Sequence, residues 1–186
     1  MDVVARNSRV LLTTLNWSNF YQHYHWSNDP ALQQEEVAAT FPREPVYAFK
    51  QRFEAMMRPD REALDLEVHT AAGALIGVAY MDWQSNPAAP QVGLTICDTT
   101  RRGEGFGKAA LQALLKVCFT QRPSIERVQA TAHPFQHAWL HLLRQAGFTA
   151  SGSGAAPIPF TLSRQNHSRQ NHRQPSLTRP ITAKAA

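Results

Sequence analysis

Cysteine is scarce: the 186-residue chain has two, Cys97 and Cys118, each among apolar neighbours. That excludes a disulfide framework and a paired-thiol metal site, and it predicts a reducing compartment. No stretch reaches the roughly 18 apolar residues that a bilayer span requires. The opening Met-Asp-Val-Val-Ala-Arg-Asn lacks a basic segment running into an apolar one. A soluble, cytoplasmic protein with no membrane partner is expected. Acids are absent from residues 163 to 186, which carry Arg164, Arg169, Arg173, Arg179 and Lys184, so the net charge of +5 resides there. The remaining residues balance fourteen basic against fourteen acidic side chains, which argues against a broad phosphate-binding face on the body. The tail repeats Ser-Arg-Gln-Asn-His at 163–167 and 168–172 and has almost nothing to bury. Disorder is expected from 163 to 186, as a solvated extension or as a segment that touches RNA or the ribosome.

Hydrophobic residues make up 43% of the chain, enough for one domain over residues 1 to 162 to bury a core. Ser8 to Thr14 is a short β-rich run. Asn16 is placed to cap a helix through about His25, with Trp17, Phe20, Tyr21 and Tyr24 on one face, and Asn28-Asp29-Pro30 breaks the chain. Further helices are expected at Ala31 to Ala39 and from Pro45 through Val46, Phe49, Phe53, Met56 and Met57. Leu64, Leu66, Val68 and Thr70 alternate with Asp65, Glu67 and His69, the period of a half-buried strand. Ala72-Gly73 then turns the chain into a return strand, Leu75 to Trp83, completing an antiparallel hairpin.

Val92 to Cys97 is the next strand, followed by a glycine-rich loop and a long helix with Phe106, Ala110, Leu114, Val117 and Cys118 on one face. Pro123 stops that helix, and Arg127 to Ala132 is a strand leading through His133-Pro134 to a last helix. Its apolar stripe is Phe135, Trp139, Leu142, Leu143 and Ala146, with His137, His141 and Arg144 opposite and Gly147 as C-cap. His137 and His141 have the spacing of two metal ligands, but no Glu accompanies them and no third ligand is in view, so a solvated face without metal is expected. Phe148 to Ala150 and Ile158 to Leu162 close the fold as strands.

The loop between Cys97 and the long helix reads Asp98-Thr-Thr-Arg101-Arg102-Gly103-Glu104-Gly105-Phe106-Gly107-Lys108. Glycines let a backbone turn tightly and aim its N–H groups at an anion, and the helix start adds its dipole. Spacing excludes two phosphate loops. The nucleotide-triphosphate loop needs Ser or Thr after its Lys, and Lys108 precedes Ala109. The dinucleotide fingerprint needs Gly-x-Gly-x-x-Gly in a parallel βαβ unit, whereas Gly103, Gly105 and Gly107 give Gly-x-Gly-x-Gly after an antiparallel hairpin. What fits is Arg-x-x-Gly-x-Gly, met by Arg102, Gly105 and Gly107.

On this motif, and on the order strand, glycine loop, long helix, strand, helix and Gly147-Phe148, residues 8 to 162 resemble the GNAT N-acetyltransferase superfamily. Ser8-Arg-Val-Leu-Leu-Thr-Thr-Leu15 and Trp26-Ser-Asn-Asp-Pro30 look most like its ribosomal-protein N-terminal acetyltransferase branch. The resemblance implies an α/β (α+β) fold with a mixed, mostly antiparallel sheet of six to seven strands flanked by helices. The sheet would be splayed between the fourth and fifth strands, where pantetheine enters between Leu94 to Cys97 and Gln129 to Ala132. It implies acetyl-CoA as co-substrate and direct transfer of the acetyl group, in a ternary complex, to a primary amine of a protein N-terminus or a small molecule.

Carried onto this chain, backbone groups at Ile96 and Cys97 meet the pantetheine or the acetyl carbonyl. N–H groups across Arg102, Gly103, Glu104, Gly105, Phe106, Gly107 and Lys108 hold the pyrophosphate. His133 is a cofactor or substrate contact, or a turn residue. For the general base, Asp98 stands first by position, with Asp82 and Glu67 as alternatives, and water, a residue such as Tyr80, or no acid at all can stand in for the acid. Tyr24 and Trp26 are the aromatics nearest an acceptor pocket. The last helix departs from the family pattern: where relatives begin with Asn and carry a Ser or Tyr acid, this chain has Gln136, Trp139 and Leu143. A second reading follows, a GNAT-fold binding module with impaired catalysis.

Overall fold

The computed structural model describes residues 2–84, 86–151 and 157–173. Eight strands form one sheet: β1 (Val3–Arg6), β2 (Val10–Thr14), β3 (Ala63–Thr70), β4 (Leu75–Asp82), β5 (Gln91–Ile96), β6 (Arg127–Ala132), β7 (Thr149–Ala150) and β8 (Ile158–Ser163). Their order across the sheet is β1-β2-β3-β4-β5-β6-β8-β7. The helices are α1 (Phe20–Ser27), α2 (Pro30–Val37), α3 (Val46–Met56), α4 (Phe106–Gln121), α5 (His137–Gln145) and α6 (Arg164–Arg173). The α/β class and the mostly antiparallel sheet agree with expectation, but the sheet has eight strands where six to seven were expected. The addition is β1, an edge strand paired antiparallel with β2 through an irregular register.

The alternation in β3 sorts the sheet into two faces. Leu66 and Val68 join the main core with the buried side of α4, including Ala110, Leu111, Leu114 and Val117. The opposite face presents Asp65 and Glu67, in register with Tyr80 and Val78 on β4, which pair in turn with Gly93 and Thr95 on β5. Over that face lies a smaller cluster of Leu15, just past β2, with Phe20 and Tyr24 of α1 and Phe49 and Phe53 of α3. Trp17 and Tyr21 were expected to share the buried face, but they stand 44% and 66% exposed; the turn that α1 presents inward carries Phe20, His23 and Tyr24. Asn16 caps a short 3-10 turn, Trp17–Asn19, that leads into α1.

Strands β5 and β6 are parallel and share one pair in register, Gln91 with Gln129, beyond which they diverge. This is the expected splay. Toward the C-terminus, the expectation of disorder from residue 163 fails over 164–173, which form α6. The cause is Arg164, whose guanidinium donates to the carbonyls of Phe119, Arg122, Pro123 and Ile125 and lies over the Phe119 ring. It thereby satisfies acceptors that α4 leaves open at its C-terminal end, where a cation is also favoured by the helix dipole. Residues 174–186 of the basic tail lie outside the described residues. Among the described residues, no helix is long and apolar enough to cross a membrane.

Candidate functional site

The glycine loop sits between the open end of the splay and the start of α4. Gly103 and Gly105 have φ of +79° and +85°, and a side-chain carbon at either would meet nothing within 4 Å. Glycine is required there by backbone conformation, and the space beside both is free for a ligand. Gly105 is the residue before α4, so the N–H groups of Phe106, Gly107 and Lys108 have no acceptor within the helix and point out of its first turn. Gly107 differs: a Cβ there would stand 3.0 Å from Leu142 Cδ1, so its role is the close packing of α4 on α5. The backbone carbonyl of Glu104 accepts a bond of 2.6 Å from Arg9, whose guanidinium also lies over the Phe106 ring. Nothing in the sequence marked Arg9, because its contact spans nearly a hundred residues.

Arg102 is placed differently from expectation. Its N–H closes the 3-10 turn Thr99–Arg101 on Thr99 O. Its Nε donates to Ile96 O at 2.9 Å, and its Nη1 pairs with both oxygens of Glu35. Arg102 thus braces the loop against β5 and α2, and the free donors of the loop begin at Gly103. His133, just past β6, stacks on Phe135 and donates its backbone N–H to Gln136 Oε1, an arrangement of the β6–α5 turn. Trp139 donates its indole N–H to Thr131 O, on β6 beside the gap. Leu143 is fully buried.

Beneath α1, α2 and α3 lies a cavity of about 580 Å³ that reaches β5 from the face opposite α4. Trp26 lines it, but Tyr24 belongs to the core, with its hydroxyl on Glu44 O. Tyr80 stands over Gly93, where a Cβ would lie 2.1 Å from its ring, so that glycine makes room for the phenol. Partial burial raises the Tyr80 pKa, and the nearby Glu36, Asp82 and Asp65 carboxylates add to this against a bond from Gln91. The phenol is therefore protonated at neutral pH. Cys97 also lines the cavity, and burial pushes its thiol up to about 12, with Glu36 contributing. It is no nucleophile.

The carboxylates considered as bases are all engaged. Asp98 accepts both the N–H and the hydroxyl of Thr100, as cap of the 3-10 turn, and is absent from the cavity wall. Asp82 accepts from Gln84 N–H. Glu67 is completely buried, contacting His23 and His69 at 3.0 and 2.9 Å and accepting from the Asn16 N–H and the Asn19 amide. Burial alone would raise its pKa, but these bonds outweigh that and hold it down at about 2. It is a structural anchor between β3 and α1. His137 and His141 are exposed on α5.

A strand pair that splays, a glycine turn with open space beside it and a cavity reaching the same strand thus lie together. The chain belongs to the GNAT acetyltransferase family: residues 9–149 match its domain model, Acetyltransferase (GNAT) domain. No curated protein matches the sequence. Among solved structures, the aminoglycoside acetyltransferase AAC(6')-Ib in complex with coenzyme A is similar at a TM-score of 0.73 and 17% identity, over 87% of this chain and 99% of that one. Spermidine N-acetyltransferase from Vibrio cholerae, in complex with CoA and spermine, is similar at 0.73 and 14% identity, over 87% and 99%. A Vibrio cholerae protein proposed to be a ribosomal-protein-serine acetyltransferase is similar at 0.65 and 19% identity, over 85% and 95%. The neighbours crystallised with coenzyme A or acetyl-CoA agree with acetyl-CoA as the co-substrate.

Proposed function

We propose that this protein transfers the acetyl group of acetyl-CoA to a primary amine, on a protein N-terminus or a small molecule, by direct attack in a ternary complex. The observation that carries the reading is convergence on one strand. The gap between β5 and β6 opens toward the Arg102–Gly105 turn, and the cavity meets β5 from the other side at Leu94, Thr95 and Cys97. A thioester lying in the gap and an amine entering the cavity would meet there. The loop donors from Gly103 to Lys108 suit a pyrophosphate, with Arg9 nearby as an added cation.

In the reaction the amine, its ammonium proton lost to water at the open side of the cavity, attacks the carbonyl carbon. The C–S bond breaks, an amide forms, and the sulfur leaves as thiolate. One of the two protons on the attacking nitrogen is lost, the other staying as the amide N–H, and the thiolate gains a proton. Tyr80, protonated and on the cavity wall, is the side chain suited to supply it. A thiol pKa near 8.5 makes the demand on this acid modest, so Tyr80→Phe should lower kcat by only about tenfold. An undiminished kcat removes Tyr80 from the mechanism. The two buried thiols fit a reducing, cytoplasmic setting.

The first test is calorimetric titration of acetyl-CoA into the protein and into Gly105→Glu, followed by mass spectrometry of candidate amines for gain of one acetyl group. Saturable binding, weakened at least tenfold in the variant, and an acetylated amine are expected. Binding without transfer to any amine would favour the second reading, a binding module, which the Trp139 indole on Thr131 O supports because it fills the region where relatives carry a hydroxyl acid. No binding to the unaltered protein would reject acetyl transfer and likewise favour the binding module.

A further inference from the structure

We infer that Glu36 is the subsite for the acceptor's ammonium group, and that the acceptor carries a single cationic amine beside an apolar body. The inference rests on the acetyl-transfer reading above and narrows its substrate class. Glu36 lines the cavity in the last turn of α2 and is held at two points. Its Oε1 accepts the Thr95 hydroxyl at 2.7 Å, and its backbone carbonyl accepts the Gln136 amide at 2.9 Å. Its Oε2 makes no hydrogen bond among the described residues. Thr95 belongs to β5 at the level where the strand faces both gap and cavity, so the free oxygen stands beside the place where thioester and amine would meet.

The position runs against local preference. A helix C-terminus disfavours negative charge, yet α2 carries Glu35 and Glu36 in its last turn and no basic residue there. Glu35 is compensated by Arg102. Glu36 is not: no ion pair reaches it among the described residues. Glu36 is thus an exposed carboxylate on the cavity wall, set against the dipole, oriented by Thr95 and without a counter-ion, and so open to a cation entering the cavity.

The other carboxylates on the cavity wall set the number of charges. Glu44 is paired with Arg52, which also lines the cavity, and Asp65 with Arg61. A second or third ammonium on the acceptor would meet carboxylates already neutralised and an arginine besides. The wall also carries the apolar Trp26, Val37 and Phe41, interspersed with the polar Gln33, Tyr80 and Thr95. One ammonium on an apolar body satisfies both surfaces, whereas a polyamine or an aminoglycoside would leave most of its charge unmatched.

The test is titration of 2-phenylethylamine, its neutral counterpart 2-phenylethanol, spermine and kanamycin into the full chain saturated with coenzyme A, and into Glu36→Gln. The amine should bind at least tenfold more tightly than the alcohol. Glu36→Gln should lose at least tenfold for the amine and nothing for the alcohol, with its melting temperature and coenzyme A affinity unchanged. Spermine and kanamycin should bind no more tightly than the monoamine. Equal binding of amine and alcohol, failure of the amine to bind, an amine affinity untouched by Glu36→Gln, or tighter binding of either polycation would overturn the inference. The contrast of amine with alcohol on the unaltered protein does not depend on the variant's folding. Should coenzyme A itself fail to bind, the acetyl-transfer reading falls, and the same contrast measured without it still decides the role of Glu36.

Discussion

Glu67 bears a charge in complete burial, and four hydrogen-bonding partners make that tolerable. Two consequences for pH follow, of opposite sign. The carboxyl's folded pKa of about 2 lies below its ordinary 4.5, so its contribution to stability is complete above that value and fades as pH falls toward 2. The bond to Glu67 raises His69 above its ordinary 6.5, so its contribution is complete below 6.5 and fades as pH rises through the folded value. Stability from this cluster should therefore be greatest between about pH 4.5 and 6.5. Urea unfolding at pH 3, 5.5 and 8 checks this. Glu67→Gln should cost about 3 kcal/mol at pH 5.5 and flatten both slopes. A variant with the parent's pH profile would show that the cluster does not govern it. The alternation of β3 put Glu67 on the face away from α4, but the sequence cannot tell a carboxylate bound by two histidines from one facing solvent, because its partners His23 and Asn16 come from segments some fifty residues away.

At the scale of the element, the parts legible in the sequence were those whose pattern is local. The β3–β4 hairpin, the loop of Gly103 and Gly105 and the apolar face of α4 were read from periodicity and turn chemistry, and the bounds differ by a residue or two. β1 was missed because four residues at a sheet edge, exposed at both ends, show no alternation. α6 was missed because Arg-Gln-Asn-His carries no apolar stripe. Its first residue is fixed by four carbonyls that belong to α4 and the turn after it, and by the Phe119 ring, which His167 also meets. Glu36 escaped notice for a related reason: α2 has little amphipathic pattern, and only the packing of its last turn on Thr95 and Gln136 makes the residue conspicuous. Arg164→Ala should cost about 2 kcal/mol, as hydrogen bonds to a charged donor do, and lower the melting temperature by about 4 to 8 °C. Arg164→Lys should fall between the two, since an ammonium cannot match the forked geometry. A calorimetric scan in which the alanine variant melts with the parent would reject this role for Arg164.

Across the whole molecule, the sheet is continuous except where β5 and β6 part after a single pair. Among the described residues the two strands share no further pair, Arg102 and Trp139 hold Ile96 O and Thr131 O, and the backbone groups left over along the gap are what a ligand lying there would satisfy. Acetyl-CoA should therefore stabilise the folded chain by mass action, by about 2.7 kcal/mol at a hundredfold excess over its Kd, and slow amide exchange in β5 and β6 more than in β2 and β3. Exchange slowed equally across the sheet, or not at all, would mean that the gap is not where the ligand lies. The family was legible from the sequence because a glycine turn of this spacing needs no distant partner to be recognised. The cavity was not, because its lining is scattered over α1, α2, α3, β4 and β5.

The seat of Arg164 has a practical consequence for handling the protein. α4 has sixteen residues, so the glycine turn at its start and the carbonyls that Arg164 holds at its end are about 24 Å apart. A chain ended after α6 and tethered there would be anchored through Arg164 at the far end of that helix from the glycine turn. Immobilisation through the C-terminus should thus leave the site accessible, while a chain cut before Arg164 would expose the end of α4 and lose the anchor.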